Sequence, residues 1–302
     1  MGGKSVSLNK HHQAKLPYFY PFGFGDGKIT ILSDGPLALG DPGTNFLGVD
    51  ESTVSGMLER NFLPTNNVVL EQNVPLVEIN GRTILFDTGM GSSKVFGPTT
   101  GQLLTSLEEA GRDPTEIDAV VLSHAHIDHT GGLCDASGNL NFPNAEIFIS
   151  ERDFTDWTDG SSIDSSFHFQ IENARRNLLP HKDRTFFFKD GEEFLPGIQA
   201  ISAPGHTLGH HCFMIQSGND RLCFLGDLTH HHILLMERPM MEFKYDTDPK
   251  LSAISRTRVL DMLAKDRIAV MSYHFAWPGA GHVVRNGDGF RYIPAPMQLL
   301  AN

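Results

Sequence analysis

Side chains that could bind metal ions are concentrated in one stretch of the chain and at three later points. Four candidates fall within LSHAHIDHTG (residues 122–131), and each of the others ends a strand-like segment. The full set consists of His124, His126, Asp128, His129, His206, Asp227 and His274. Imidazoles and carboxylates suit borderline divalent ions such as zinc. Seven donors are too many for one tetrahedral ion, so the set predicts two ions that share a bridging carboxylate.

The spacing of the donors divides them between two ions. The first group consists of the imidazoles of His124, His126 and His206. The second group consists of Asp128, His129 and His274. Asp227 stands alone after its strand and is the natural bridge between the groups. Three protein ligands and a bridge leave room for a shared water or hydroxide, which is typical of catalytic rather than structural sites.

The chain has fifteen histidines, so some of them could lie close together in the sequence by chance. For an isolated histidine such as His168 or His181, an ordinary structural role is favoured. The run H-x-H-x-D-H followed by G-H-T-x-G-H and G-D is a pattern that chance does not readily produce, and it indicates metal binding. Zinc is the expected metal, although manganese, iron and cobalt accept the same ligands.

Apolar strands must position these donors. DAVVLSH, AISAPGH, LCFLGD and AVMSYH each end in a candidate ligand, and a strand end is a rigid support for such a side chain. Helical patterns are expected at residues 100–110, 151–158, 166–179 and 248–265. Two rounds of strands followed by helices predict two packed sheets with helices outside, an α+β four-layer αββα sandwich. Residues 28–302 are expected to form this single domain, and residues 1–27 an arm that packs on it or on a neighbouring subunit.

The composition narrows the classes of partner. The chain has 302 residues, a formal charge of −12 and no basic run, which gives no support to nucleic-acid binding. No apolar stretch approaches the ~20 residues needed to cross a bilayer. Three cysteines without C-x-x-C spacing fit a reducing compartment. We therefore expect a cytoplasmic protein without membrane or nucleic-acid partners, or a periplasmic or secreted one if a leader was removed.

The motif set resembles that of the metallo-β-lactamase superfamily over residues 28–294. Besides the ligand motifs, FDTG at residues 86–89 matches the superfamily's early strand-end motif. The resemblance implies that Asp87 orients a ligand histidine by accepting its other ring N–H; a turn-capping aspartate is the alternative. His210, in GHTLGHH, either supports the site from behind the ligands or has a merely structural role.

Further segments resemble the branch that contains methyl parathion hydrolase, lactonases and arylesterases. They are ILSDG, FPNAEIFIS, LPGIQAISAPGHTLGH and HFAWPGAGHVVRNGDGFRYIP. By this resemblance Phe96 and Trp157 belong to an aromatic pocket wall, although ordinary core packing is nearly as well supported by the sequence. The resemblance also implies that the protein can form a homodimer.

The segment after Asp227 departs from the lactonase pattern. Acyl-homoserine lactonases have a substrate-binding tyrosine three residues after the bridging aspartate, where this chain has His230. His230 either donates a hydrogen bond to the substrate or is one of several exposed loop histidines. The apolar segment at residues 233–245 is interpreted as a pocket lip, a dimer contact or a stretch folded onto the domain. A lip would favour neutral apolar substrates.

These features predict a dinuclear metal-dependent hydrolase of apolar esters, lactones or phosphotriesters. A metal-bridging hydroxide is the expected nucleophile, and Asp227, Asp128 and His230 are the expected catalytic side chains. Acyl-homoserine lactonase and β-lactamase-type activities are the alternatives within enzymes. A metal-free binding or scaffold protein is the alternative outside them, although its usual sign, a missing ligand, is absent from this sequence.

Overall fold

The computed structural model describes residues 18–296, which contain two seven-stranded mixed sheets. The order of strands across the first sheet is β1 (Phe19–Phe24), β2 (Gly27–Ser33), β6 (Asn73–Ile79), β7 (Arg82–Phe86), β8 (Ala119–Val121), β9 (Glu146–Ser150) and β10 (Thr185–Phe188). The order across the second sheet is β11 (Glu193–Leu195), β12 (Ile198–Ser202), β13 (His211–Ser217), β14 (Asp220–Phe224), β16 (Ala269–Met271), β17 (Ala280–Asn286) and β18 (Gly289–Pro294). Two small sheets pair β3 (Leu37–Gly40) with β5 (Val68–Leu70), and β4 (Phe46–Leu47) with β15 (Glu242–Phe243).

The α-helices of the described residues are α1 (Glu51–Arg60), α2 (Leu103–Glu109), α3 (Ile127–Thr130), α4 (Glu151–Asp159), α5 (His168–Leu178), α6 (Leu234–Glu237) and α7 (Pro249–Asp266). The four predicted helices correspond to α2, α4, α5 and α7, with ends that differ by up to three residues. Helix α1 was not predicted, although its buried Val54, Met57 and Leu58 have helical spacing. None of the helices in this part of the chain is long and apolar enough to cross a membrane.

Apolar side chains of the two facing sheets fill the space between them. The ring of Phe86 on β7 lies 5.6 Å from the ring of Phe213 on β13 and 5.6 Å from that of Phe224 on β14. On the other face of the second sheet, Cys223 packs in one cluster with Leu260 of α7. Successive residues of β14 thus serve opposite faces, as the pleat of a strand requires. The predicted αββα sandwich is confirmed.

Parallel strand pairs bring the loops of the site together. β7 pairs with β8 and β8 with β9 in parallel, and β14 pairs with β16 in parallel in the other sheet. All three residues of β8 are buried, which explains why this strand is wholly apolar. Because parallel neighbours end at the same edge, the loops after β7 and β8 emerge together, as do those after β14 and β16. These loops carry Asp87, His124, Asp227 and His274.

The predicted arm requires a correction. Residues 1–17 lie outside the described residues, but β1 falls within the predicted arm and forms the edge of the first sheet. β1 pairs antiparallel with β2, from Phe19 opposite Leu32 to Phe24 opposite Gly27. The boundary predicted at residue 27 therefore lies inside a hairpin. The aromatic-rich segment that was interpreted as an arm supplies an edge strand of the domain.

Asp34, directly after β2, connects three segments through one buried carboxylate. It accepts hydrogen bonds from the backbone N–H groups of Met90 (2.8 Å), Gly101 (3.0 Å) and Leu103 (2.9 Å). Met90 belongs to the loop that carries Asp87, and Leu103 begins α2. One side chain thus fixes the loop after β7 against the rest of the first sheet.

Replacing Asp34 with alanine should lower the free energy of unfolding by at least about 3 kcal/mol, because two buried N–H groups and one partly buried N–H group lose their acceptor. Burial raises the pKa of Asp34 to about 6, so urea unfolding at pH 8 measures the ionised side chain. The exposed Asp183 offers a matched control, and Asp183→Ala should change stability by less than about 0.5 kcal/mol. Equal stabilities of the two variants would contradict this role of Asp34.

Candidate metal centre

The seven predicted donors lie together at the strand ends, and none of them is more than 8% exposed. One cluster of donor atoms comes from His124, His126 and His206. A second comes from Asp128, His129, Asp227 and His274. Within each cluster the donor atoms lie within 4.8 Å of one another. The two clusters correspond to the two groups that the spacing of the residues predicted.

Asp227 lies between the two groups, and each of its carboxylate oxygens faces one of them. Oδ2 is 3.1 Å from Nε2 of His206 and 3.8 Å from Nε2 of His124. Oδ1 is 3.1 Å from Nε2 of His129 and 3.3 Å from Nε2 of His274. This is the arrangement that a bridging carboxylate needs, since each oxygen can serve a different ion.

Several of these donor atoms are buried and have no hydrogen-bond partner among the described residues. They are Nε2 of His124 and His129, and Oδ1 of Asp227. His126 faces the cluster through Nδ1, which lies 2.9 Å from Nε2 of His206. A buried polar atom without a partner costs about 1–3 kcal/mol, so a cluster of them is unfavourable unless another group satisfies it. Imidazole nitrogens and carboxylate oxygens in this number fit two divalent cations.

The electrostatic surroundings favour cations at this place. Burial, reinforced by neighbouring imidazoles, holds the pKa values of His124 and His126 well below their usual value, so both rings are neutral and able to act as ligands. Burial also opposes a charge on His206, but the carboxylates of Asp227 and Asp246 outweigh it and raise its pKa to about 9. The negative charge that attracts a proton there also attracts a metal ion, which replaces the proton when it binds.

Asp87 lies behind the second group of donors. Its Oδ2 is 2.8 Å from Nδ1 of His129, and its carboxylate also accepts the backbone N–H and the hydroxyl of Ser123, both at 2.8 Å. The ring of His129 is thereby held with Nε2 toward Asp227, 3.1 Å away. The structure thus places Asp87 in the orienting contact that the resemblance implied, rather than in a turn cap.

His210 supports the bridging residue through its backbone. Nε2 of His210 accepts the N–H of Asp227 at 3.0 Å, and Nδ1 donates to the carbonyl of Ala203 at 3.0 Å. Burial lowers the pKa of His210 to about 3, which agrees with a neutral ring that both donates and accepts. His210 therefore holds the loop of Asp227 and lies outside the donor clusters.

A cavity opens over the donor atoms. Its polar side consists of His126, Asp128, Gln170, His206, Asp227, His230 and His274. Its apolar side consists of Leu37, Leu39, Leu70, Phe96, Phe243 and Tyr245. Phe243 and Tyr245 come from the end of the segment at residues 233–245, whereas Leu234, Leu235 and Met236 at its start are buried in the domain. The segment therefore both folds onto the domain and supplies part of the cavity wall.

The two aromatic residues expected in the pocket wall have different positions. Phe96 lines the cavity, and its ring contacts Tyr245 edge-to-face at 5.9 Å. Trp157 is only 1% exposed and packs against the ring of His126 at 4.7 Å, behind the cavity. For Trp157 the wall position is thus corrected to core packing, because α4 directs this side chain between the sheet and a ligand ring.

His230 lies inside the cavity and is only 2% exposed. Its Nε2 is 3.0 Å from Oδ2 of Asp227, and its ring stacks on Phe243 with the ring centroids 3.9 Å apart. Its Nδ1 is buried without a hydrogen-bond partner in the described part of the chain. An exposed loop histidine is thereby excluded. The position allows contact with a substrate, or a further donor beside His206 and Asp227.

The sequence profile of the metallo-beta-lactamase superfamily matches residues 68–273, a span that includes all the donors except His274. The chain belongs to this superfamily. The predicted membership is confirmed, and with the complete donor set it makes the chain a metal-dependent hydrolase suited to two divalent ions.

The solved structures of two hydrolases are similar to nearly the whole chain. AidC, a dizinc quorum-quenching lactonase in complex with the product N-hexanoyl-L-homoserine, is 30% identical with a TM-score of 0.88, over 93% of this chain and 98% of AidC. The hydrolase AbOPH is 27% identical with a TM-score of 0.87, over 94% of this chain and 99% of AbOPH. The N-acyl homoserine lactonase of Bacillus cereus is 26% identical over 234 residues, which are 72% of this chain and 85% of the relative.

Asp246 is a supporting residue that the sequence analysis missed. Its Oδ1 is 2.9 Å from Nδ1 of His206, and its Oδ2 is 3.5 Å from the guanidinium of Arg256. Arg256, fully buried, also donates to the carbonyls of Pro239 and Met241. Asp246 thus orients His206 as Asp87 orients His129. No sequence pattern connects Asp246 to a ligand that lies forty residues earlier.

Asp153, at the start of α4, is a second missed residue, and it connects two ligand loops. Oδ2 of Asp153 accepts the N–H of Ala125 at 2.8 Å and the hydroxyl of Thr207 at 2.9 Å. Oδ1 accepts the N–H of Gly209 at 2.9 Å. The loop of His124 and His126 is therefore tied to the loop that follows His206. The only signal in the sequence was an aspartate in the first turn of a helix, which usually indicates no more than helix capping.

Replacing Asp246 with asparagine should weaken metal binding about 10–100-fold, because His206 loses the charged acceptor of its second ring N–H. Competition with a chromophoric zinc chelator measures the affinity, and elemental analysis gives the metal content. Asp261, which pairs with Arg285 on the surface, supplies the matched control Asp261→Asn, whose affinity should equal that of the wild type. Wild-type affinity in Asp246→Asn would show that His206 needs no such support.

Proposed function

We propose that this protein hydrolyses lactones, N-acyl homoserine lactones foremost, with two divalent ions for which zinc is the first candidate. The observation that carries the proposal is the cavity, in which two groups of metal donors lie beneath a wall of leucine and aromatic side chains. The similarity to AidC over 93% of this chain supports lactones over the other predicted classes, apolar esters and phosphotriesters.

The lining of the cavity supports a neutral substrate. Its apolar side offers contacts for an acyl chain, and among the described residues no lysine or arginine lines it. A substrate with a carboxylate or phosphate, such as a glutathione thioester or a nucleotide, would therefore have no lysine or arginine to pair with. The homodimer that the resemblance implies stays a prediction, and analytical ultracentrifugation would test it.

In the proposed mechanism, the residues of the chain place the reacting groups. The two ions, when bound, supply an activated water as nucleophile and polarise the carbonyl oxygen. Asp227 faces both donor groups and can position the attacking water and accept its proton. Asp128, 3.4 Å from Nε2 of His274, contributes a second carboxylate on one side of the site. The single N–H of the neutral His230 ring faces Oδ2 of Asp227 at 3.0 Å. With that carboxylate oxygen on a metal ion, the N–H would be available to the substrate carbonyl or leaving oxygen.

Asp227→Ala and His206→Ala should each lower kcat/KM for N-hexanoyl homoserine lactone by at least about 10³-fold. The reason is that loss of a ligand removes several kcal/mol of metal-dependent stabilisation. Removal of metal by a chelator should have the same effect, reversed by added zinc. The exposed His282 provides the control His282→Ala, which should retain wild-type turnover. Undiminished turnover in the chelated wild type would rule out a metal-dependent reaction.

A panel of six substrates tests the proposed class of substrate. It contains N-hexanoyl homoserine lactone, an unsubstituted γ-lactone, an aryl acetate, a phosphotriester, a penicillin and a glutathione thioester. We expect the highest kcat/KM for the acyl homoserine lactone. The assignment would be overturned if kcat/KM for a substrate of another class were more than tenfold higher than kcat/KM for either lactone.

His230→Phe should lower kcat/KM for the same lactone about 10–100-fold, because the ring can still stack on Phe243 but has no N–H to donate. The variant should keep two metal ions per chain by elemental analysis. The neighbouring His232 does not line the cavity, so His232→Phe should keep the wild-type rate. Loss of one metal ion in His230→Phe would instead identify His230 as a ligand.

A further inference from the structure

Gln170 is a buried polar residue of the cavity that the mechanism does not use. It lies on α5, is 2% exposed, and lines the cavity beside His126 and Asp128. Its Oε1 accepts the backbone N–H of Ile127 at 2.6 Å. Ile127 is the first residue of α3 and stands between the two donors, so Gln170 satisfies an N–H that the short helix leaves free.

This hydrogen bond decides which end of the carboxamide faces the cavity. A backbone N–H can only donate, so the oxygen of Gln170 must point to Ile127 and the NH₂ group must point away from it. Within the described residues that NH₂ group has no hydrogen-bond acceptor. The side chain thus offers an N–H group to the cavity, close to the candidate metal ligands His126 and Asp128.

The position of the carboxamide is fixed by the packing of α5 on α3. One turn along α5 from Gln170, Asn173 donates to the hydroxyl of Thr130 at 2.8 Å. The two helices are therefore joined at the first and the last residue of α3. An NH₂ group held in this way is preorganised. It can distinguish strongly between substrates that have a hydrogen-bond acceptor at this position and substrates that lack one.

We infer that Gln170 is a specificity-determining residue whose NH₂ group donates a hydrogen bond to a second carbonyl of the substrate, next to the lactone ring. This inference rests on the proposed lactonase function. The leucine and phenylalanine side chains of the wall accept no hydrogen bond, so a lactone without such a carbonyl would offer the NH₂ group no acceptor. Gln170 therefore selects lactones with an acylamino substituent over simple alkyl lactones.

The test compares kcat/KM for N-hexanoyl homoserine lactone and for γ-decalactone, which has no amide. Gln170→Glu keeps an oxygen for the N–H of Ile127 but has no NH₂ group, and Gln170→Met has neither. In both variants, loaded with zinc, we expect the preference for the amide-bearing lactone to fall at least tenfold. The exposed Gln199, which donates to the carbonyl of Gly191 away from the cavity, provides the control Gln199→Met with an unchanged preference.

The outcomes separate this inference from the proposed function. If the zinc-loaded wild type hydrolyses neither lactone, the proposed function fails, and the role of Gln170 fails with it. If the wild type is active but Gln170→Glu and Gln170→Met lose activity equally on both lactones, only the inference is overturned, and Gln170 merely supports Ile127. A selective fall in Gln170→Met alone would also overturn it, because loss of the NH₂ group would then not be the cause.

Discussion

A buried carboxylate with imidazoles on both sides is the constraint on which this structure depends. The two oxygens of Asp227 approach ring nitrogens of five histidines within 3.0 to 3.8 Å. Several of the atoms have no partner among the described residues, and such a cluster is tolerable only if cations satisfy it. Metal binding and the stability of this part of the fold are therefore coupled.

Carboxylates behind the ligand rings keep the donors in place. Asp87 contacts and orients His129, and Asp246 does the same for His206. Asp153 connects the loop of His124 and His126 to the loop after His206. Each carboxylate comes from a different loop or helix, so several separate elements hold the ligand side chains in position. Such support is what separates a preorganised metal site from a loose group of histidines.

The scaffold and the cavity wall contribute separately to function. The strand ends supply the donors, and apolar residues of the small sheets and of the segment at residues 233–245 supply the wall. The chemistry of metal-assisted hydrolysis can therefore stay constant while the wall and the few polar groups near it set the substrate. His230 and Gln170 are the side chains through which this chain is proposed to make that choice.

The sequence by itself determined the layered fold, and it predicted the candidate donors and their division into two groups. Ligand identity, strand hydrophobicity and helical spacing are local properties, so they can be interpreted from neighbouring residues. The tertiary structure alone decided that Trp157 lies behind His126, that β1 belongs to the sheet, and that Asp246 and Gln170 contact the ligand segments. The contacts of Trp157, Asp246 and Gln170 join residues 31 to 43 positions apart, and β1 becomes an edge strand only by pairing with β2. Packing between distant elements fixes them, and no local pattern of residue types encodes it.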